Sequence, residues 1–156
     1  MRKPEWPTPA AWQAARLRRA NEQAEIVLVE RGPYISFANC GLPYHISGAI
    51  ADRDKLLVTS EEMFEARYHV DVRSRTEALS IDSAARTVTL RDLDSGEETV
   101  ESYDRLLLSP GAEVLKPPIP GIGSPRIFTL RNHRLERTQG HAQGRARHDR
   151  ADRRAD

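Results

Sequence analysis

The sequence predicts an α/β protein in which a three-stranded antiparallel meander interrupts a parallel, doubly wound sheet. An alanine-rich helical segment is followed closely by Glu25–Glu30, and the four consecutive apolar residues of that run are typical of a parallel strand buried on both faces. Several β-like runs then lie between residues 70 and 103. A second apolar run, Leu106–Leu108, is expected to return to the parallel sheet.

Local signals place the individual elements. Residues 10–21 predict a helix, since alanine favours helix and the arginines at its end suit the helix dipole. Thr59-Ser60-Glu61-Glu62 resembles a capping box, with Thr59 as the N-cap, and predicts a helix through about Tyr68. The strands predicted after it are Val70–Ser74, Glu77–Asp82, Thr87–Leu93, Glu98–Tyr103, Arg105–Ser109 and Ile127–Leu130.

Composition limits the classes of protein and of site. The chain has 156 residues, 38% of them hydrophobic and 30% charged, and its net charge is +1, so neither nucleic acid nor a membrane is an expected partner. A single cysteine, Cys40, rules out an internal disulfide and any metal site built from clustered thiolates, so no metal is expected. A reducing cytoplasm is the predicted compartment.

The last 24 residues of the sequence differ in composition from the rest of the chain. The segment from residue 133 to 156 contains seven arginines, four acidic residues and one large apolar residue, Leu135. Such a segment buries too little surface to offset its ordering entropy, so a disordered or loosely helical tail is expected. Residues 1–132 are expected to form one folded domain.

The residues around Cys40, SFANCGLPYH, raise the question of thiol chemistry. The segment that follows has the length of one or two helical turns, and a thiol at a helix start faces amide hydrogens that favour a reactive thiolate. A buried, inert cysteine explains the same residues. Tyr44 and His45 fit either acid–base partners or packing residues.

Glu30 is a candidate nucleotide-binding residue because it ends the first predicted strand. In a dinucleotide-binding fold, an acidic residue there accepts hydrogen bonds from the adenosine ribose. An ordinary strand-end carboxylate in solvent is the alternative. The glycine loop that usually cradles the pyrophosphate is missing, because the helix is preceded by EWPTPAAW, whose prolines have no amide hydrogen.

The stretch VERGPYISFANCGLPYHISG closely resembles the flavoprotein CoA-disulfide reductases and their NADH oxidase and polysulfide reductase relatives, within the pyridine nucleotide–disulfide oxidoreductases. The resemblance continues through ARLRR, ESYDRLLLSPGA, PPIPGI and RIFTLRN, and covers about residues 14 to 132. It implies that residues 1–132 form a partial FAD/NAD(P)-binding-type domain with a Rossmann-like fold, in which one redox cysteine lies beside the flavin. Hydride passes from NAD(P)H to FAD, and the electrons then reduce a mixed disulfide between that cysteine and coenzyme A, or a cysteine sulfenic acid in the oxidase branch.

Each functional position of the family has a counterpart here by resemblance. Cys40 matches the redox cysteine. Arg19, Ser36 and Asn39 match positions that contact coenzyme A, Glu30 and Arg31 match positions at the FAD adenosine, and Ser109, Pro110 and Gly111 match a segment over the flavin.

Both ends of the chain depart from the family pattern. Residues 1–13 hold neither the first strand nor the glycine loop, and the NAD(P)H and dimerisation domains of the homodimeric relatives have no counterpart after Asn132. The expectation is therefore a truncated family member that binds FAD weakly or not at all. A non-catalytic remnant or binding module without flavin, and a stand-alone thiol redox sensor, are the alternatives.

Overall fold

The protein is described by a computed structural model that covers residues 9–112, 114–127 and 130. These residues fall into two compact units. The first holds the described residues up to Phe37 and those from Leu57 to Pro110, and the second holds Ala38–Leu56 and the described residues from Gly111 onward. The predicted tail at 133–156 lies outside the described residues.

Within the described residues, three helices and five strands follow one another. They are α1 (Pro9–Ala20), β1 (Val27–Val29), α2 (Leu42–Ile46), α3 (Glu61–Tyr68), β2 (Asp71–Arg73), β3 (Thr76–Asp82), β4 (Thr87–Asp92) and β5 (Glu98–Ser102). Short 3-10 turns cover Asn39–Gly41 and Arg53–Leu56. The strands β1 and β2 are parallel, and β3, β4 and β5 form an antiparallel sheet in that order. The predicted α/β class with a meander insertion is confirmed.

The parallel pair places Glu30 at the carboxyl end of β1. Leu28 lies opposite Val72 in the register of the two strands. Just beyond β1, the Glu30 amide donates to the Arg73 carbonyl (3.0 Å), and the Glu30 carbonyl accepts from the Thr76 amide (3.1 Å). Two backbone hydrogen bonds therefore fix the main chain at a position where parallel sheets commonly meet their ligands.

The core of the first unit lies between α1, β1 and α3. Small residues on one face of α1 let it approach the sheet closely, and β-branched and aromatic side chains fill the remaining space. Phe64 of α3 is only 2% exposed, and its ring centre lies 4.8 Å from that of Tyr68. The buried members of this core are Ala11, Ala14, Ala15, Ile26, Leu28, Ile35, Phe64 and Val70.

Arg18 joins the end of α1 to the end of α3. Its guanidinium donates to three backbone carbonyls, those of Tyr68 (2.8 Å), His69 (2.6 Å) and Glu22 (2.6 Å). The His69 carbonyl belongs to a left-handed residue (φ 49°) that ends α3. One side chain therefore satisfies carbonyls at the ends of two helices.

Substitution of Arg18 by lysine is expected to lower the free energy of unfolding by about 1–2 kcal/mol, because an ammonium group cannot reproduce the planar fork that reaches three carbonyls. Urea unfolding followed by circular dichroism measures the change. Arg16→Lys is the matched control, since Arg16 is exposed on the same helix. Equal losses in both variants would show that the three hydrogen bonds contribute nothing specific.

The start of α3 corrects the predicted cap by one residue. Ser60, not Thr59, is the N-cap, and its hydroxyl accepts a hydrogen bond from the Met63 amide (3.2 Å). The Thr59 hydroxyl instead donates to the Ser60 carbonyl (3.3 Å). A hydrogen bond to the Ser60 side chain is the main cause that lowers the pKa of Glu62. Only half of the predicted capping box is therefore formed, because the residue three positions after the Ser60 cap is Met63, whose side chain cannot accept from the Ser60 amide.

The strand predicted at Arg105–Ser109 is absent, and that prediction was wrong. Leu107 and Leu108 are 63% and 66% exposed and lie outside any strand. An apolar run forms a strand only beside a partner, and among the described residues β1 pairs with β2 alone. Ile127 also lies outside any strand, and residues 128 and 129 of the last predicted strand are outside the described part.

Candidate thiol site

Cys40 lies in the second unit, in the 3-10 turn that leads into α2. Its side chain is exposed and its thiol is free. Exposure excludes the interpretation of a buried cysteine that serves only to pack. A thiol that solvent and solutes reach is available for disulfide exchange or oxidation.

Gly41 allows the turn at Cys40 to pack closely. Its amide donates to the Ala38 carbonyl (2.9 Å), and the Ala38 amide donates to the Leu56 carbonyl (2.7 Å). A Cβ atom at position 41 would lie 2.6 Å from Leu56 Cδ2, closer than carbon atoms approach without displacement. Since Leu56 is only 4% exposed, glycine is the residue that this contact requires.

The short helix α2 is anchored by Leu42 and His45. Leu42 is 1% exposed, and His45, at 9%, places Nδ1 only 2.7 Å from the Ile50 carbonyl oxygen. Tyr44, by contrast, is 60% exposed. His45 therefore packs and forms a hydrogen bond within this unit, an arrangement that the sequence alone left undecided.

The three positions matched to coenzyme A contacts differ in their surroundings. Asn39 is exposed beside Cys40. Arg19, in the last turn of α1, holds its guanidinium 5.3 Å from the centre of the Trp12 ring. Ser36 is fully buried, and its hydroxyl has no hydrogen-bond partner among the described residues. Arg19 and Ser36 belong to the first unit and Asn39 to the second.

The positions matched to FAD contacts differ in how firmly the structure holds their side chains. The Glu30 carboxylate accepts a hydrogen bond from the Gly32 amide (2.7 Å), and a Cβ at position 32 would lie 3.0 Å from that oxygen, so glycine permits the contact. Arg31 is largely exposed, 3.4 Å from the Glu77 carboxylate. The remaining matched residues, Ser109, Pro110 and Gly111, are all exposed.

A cleft of about 400 Å³ lies elsewhere in the first unit, between the start of α3 and strands β2 to β5. Arg73, the basic residue among the described residues that line it, is paired with Asp71 (2.8 Å) and Glu101 (2.6 Å), and these hydrogen bonds raise the pKa of Arg73. None of the predicted site residues lines this cleft. Across the described residues, no cluster of three or more metal-ligating side chains occurs, and no helix is long and apolar enough to cross a membrane.

A family model described as pyridine nucleotide-disulphide oxidoreductase matches residues 8–150. Among curated proteins, the coenzyme A disulfide reductase of Staphylococcus aureus (strain JH9) is 38% identical over 119 residues, which are 76% of this chain and 26% of the relative. The chain thus spans about a quarter of the length of the curated relatives it matches.

Solved structures agree with the sequence comparisons. Reduced CoADR-RHD of Bacillus anthracis is 49% identical with a TM-score of 0.68, covering 72% of this chain and 21% of that one. The NAD-dependent persulfide reductase of A. fulgidus is 36% identical with a TM-score of 0.71, covering 79% and 24%. The water-forming NADH oxidase of Lactobacillus brevis, bound to NADH, is 33% identical with a TM-score of 0.72, covering 88% and 29%.

Proposed function

Because the chain belongs to the pyridine nucleotide-disulphide oxidoreductase family, we propose that it is the cysteine-bearing part of an enzyme that reduces CoA disulfide with NAD(P)H, with Cys40 as the redox thiol. The exposed, free Cys40 on its glycine-dependent turn is the observation that carries the proposal. Similarity to coenzyme A disulfide reductases supports coenzyme A as the partner thiol.

The proposed step is a thiol–disulfide exchange. The Cys40 thiolate attacks one sulfur of CoA disulfide, a Cys40–CoA disulfide forms, and the second coenzyme A leaves as a thiolate that takes a proton from solvent. The Cys40 sulfur is oxidised and one coenzyme A sulfur is reduced, so electrons balance within the step. Return of Cys40 to the thiol requires two further electrons, for which NAD(P)H is the proposed source.

Three residues of this chain are proposed to interact with coenzyme A. Asn39, exposed next to Cys40, would hydrogen-bond the incoming coenzyme A, and the exposed guanidinium of Arg19 would pair with its phosphates. Ser36 is the third residue proposed to contact coenzyme A; its hydroxyl is buried and has no hydrogen-bond partner among the described residues, so this contact requires its exposure when the ligand binds.

FAD fits the described residues at its adenosine end. The half-buried Glu30 carboxylate, held by the Gly32 amide at the end of β1, suits a ribose hydroxyl, with Arg31 beside it. Ser109, Pro110 and Gly111 are the residues proposed for the flavin end. When bound, FAD would carry electrons between NAD(P)H and the disulfide.

Mass spectrometry tests the proposal directly. The full chain, incubated with CoA disulfide, is expected to gain one coenzyme A per molecule and to release one equivalent of free coenzyme A, while Cys40→Ser gains none. Failure of the native chain to form the adduct would contradict the proposal. A chain that instead forms a sulfenic acid with peroxide, and ignores CoA disulfide, would be the thiol sensor that the exposed Cys40 also permits.

FAD is expected to copurify with this 156-residue chain at well below one equivalent. The eight residues before α1, MRKPEWPT, contain no glycine, and their two prolines offer no amide hydrogen to a pyrophosphate. Flavin absorbance of the purified protein, compared with protein concentration, measures the ratio. Stoichiometric FAD that survives gel filtration would show that the pyrophosphate is bound without a glycine loop.

A further inference from the structure

The hydrogen bond between His45 and Ile50 has a defined direction. His45 Nδ1 lies 2.7 Å from the Ile50 carbonyl oxygen, and the imidazole is 9% exposed. A carbonyl oxygen only accepts hydrogen bonds, so Nδ1 carries the hydrogen. Both the neutral ring with this tautomer and the protonated ring make the same bond, so the contact depends on the position of Nδ1 rather than on charge.

The backbone amide and the backbone carbonyl of Ile50 both form hydrogen bonds. Its amide donates to the Tyr44 carbonyl (3.1 Å), while its carbonyl accepts from His45. Between α2 and Ile50 the chain reverses at Gly48, which has a φ of +81° and whose amide donates to the His45 carbonyl (3.1 Å). The imidazole thus closes a short loop back onto the helix that follows Cys40.

The side chain of Ile50 reaches the turn that carries the thiol. A Cβ atom on Gly41 would lie 3.8 Å from Ile50 Cδ1 and 3.7 Å from the Ala38 Cβ, so these groups surround the Gly41 α-carbon. Gly41 is the residue directly after Cys40 and is itself buried. Displacement of Ile50 therefore removes one wall of the space into which the Cys40 turn packs.

We propose that His45 is a positioning residue for Cys40, acting through its Nδ1 hydrogen bond to the Ile50 carbonyl. The inference rests on the proposed function of Cys40, since it gives the buried imidazole a part in that thiol chemistry without contact to the substrate. This role differs from acid–base catalysis. A side chain that donates a hydrogen bond from the Nδ1 position, but does not titrate, would hold the Ile50 carbonyl equally well.

Asparagine and glutamine separate these alternatives. The side-chain amide of asparagine places its NH₂ close to the Nδ1 position, whereas that of glutamine extends one carbon further. The readout is the rate at which an aromatic disulfide, 5,5′-dithiobis(2-nitrobenzoate), labels the full chain. Cys40 is its only cysteine, so the signal reports one site. This reagent needs neither FAD nor coenzyme A, so the result stands even where the proposed CoA-disulfide exchange fails.

In the variants His45→Gln and His45→Leu, the labelling rate is expected to change roughly 3–10-fold, toward the rate of the urea-unfolded chain. A change of this size corresponds to the loss of one hydrogen bond. His45→Asn is expected to keep the native rate, and His69→Gln, at an exposed histidine, is the matched control. Circular dichroism identifies any variant that has unfolded altogether. Equal rates in the asparagine and leucine variants, or native rates in all of them, would overturn the proposal.

Discussion

Replacing Gly41 with valine is expected to destabilise the second unit by about 1–3 kcal/mol, because the added atoms would overpack the space beside Leu56. The Cβ alone would lie 2.6 Å from Leu56 Cδ2, and Ala38 and Ile50 occupy the other sides. Hydrogen–deuterium exchange of peptides from residues 38–56 measures the change, with roughly tenfold faster exchange for each 1.4 kcal/mol lost. The exchange of Cys40 with CoA disulfide is expected to slow toward the rate of the unfolded chain.

Gly123→Val is the matched control for this substitution. A Cβ at position 123 would have no neighbour within 4 Å among the described residues, and Gly123 lacks the positive φ seen at Gly121. The control is therefore expected to leave both hydrogen exchange and Cys40 reactivity unchanged. If Gly41→Val matched its control, the close contact with Leu56 would not shape the thiol turn.

Phe64→Ala is expected to lower the free energy of unfolding of the first unit by about 3–5 kcal/mol, the cost of removing a buried aromatic ring and leaving a cavity. Phe64 is 2% exposed within the core formed by α1, β1 and α3. A loss of this size is a large fraction of the roughly 5–15 kcal/mol that stabilises a typical domain. Urea unfolding followed by circular dichroism measures it.

Met63→Ala, at the neighbouring position of the same helix, controls for helix propensity and side-chain size. Met63 is 61% exposed, so its truncation is expected to change stability by no more than about 0.5 kcal/mol. Similar losses in the two variants would mean that burial of Phe64 is not what holds α3 to the core.

The fold class was predictable because its signals are local. The apolar run at Glu25–Glu30 predicted β1, and the β-like runs between residues 77 and 103 predicted the meander, which the structure places at residues 76–102. Leu106–Leu108 showed the limit of this reasoning, because an apolar run reports a tendency to be buried but not the presence of a neighbouring strand. Thr59 and Ser60 both carry hydroxyls, and only the course of the chain decided which of them caps α3.

The sequence identifies Cys40 as the candidate thiol but does not reveal the residues that hold its turn in place. The lone cysteine and its neighbours drew attention to Cys40, and resemblance supplied its proposed role. The contribution of His45 depends on where a loop brings the Ile50 carbonyl, and no spacing rule reveals that position. Arg18 is likewise one of three arginines within four residues, and only the location of the end of α3 selects it.

The preference of Cys40 for CoA disulfide over glutathione disulfide shows whether the folded chain recognises coenzyme A. Both compounds react by the same exchange at sulfur, so a preference reports recognition by the folded chain rather than thiol reactivity alone. Rates are measured by mass spectrometry for the native protein and for the protein in urea, which corrects for intrinsic differences between the reagents. The native chain is expected to favour CoA disulfide by at least about tenfold relative to the unfolded chain. Equal relative rates in the native and unfolded states would show that the folded chain does not recognise coenzyme A.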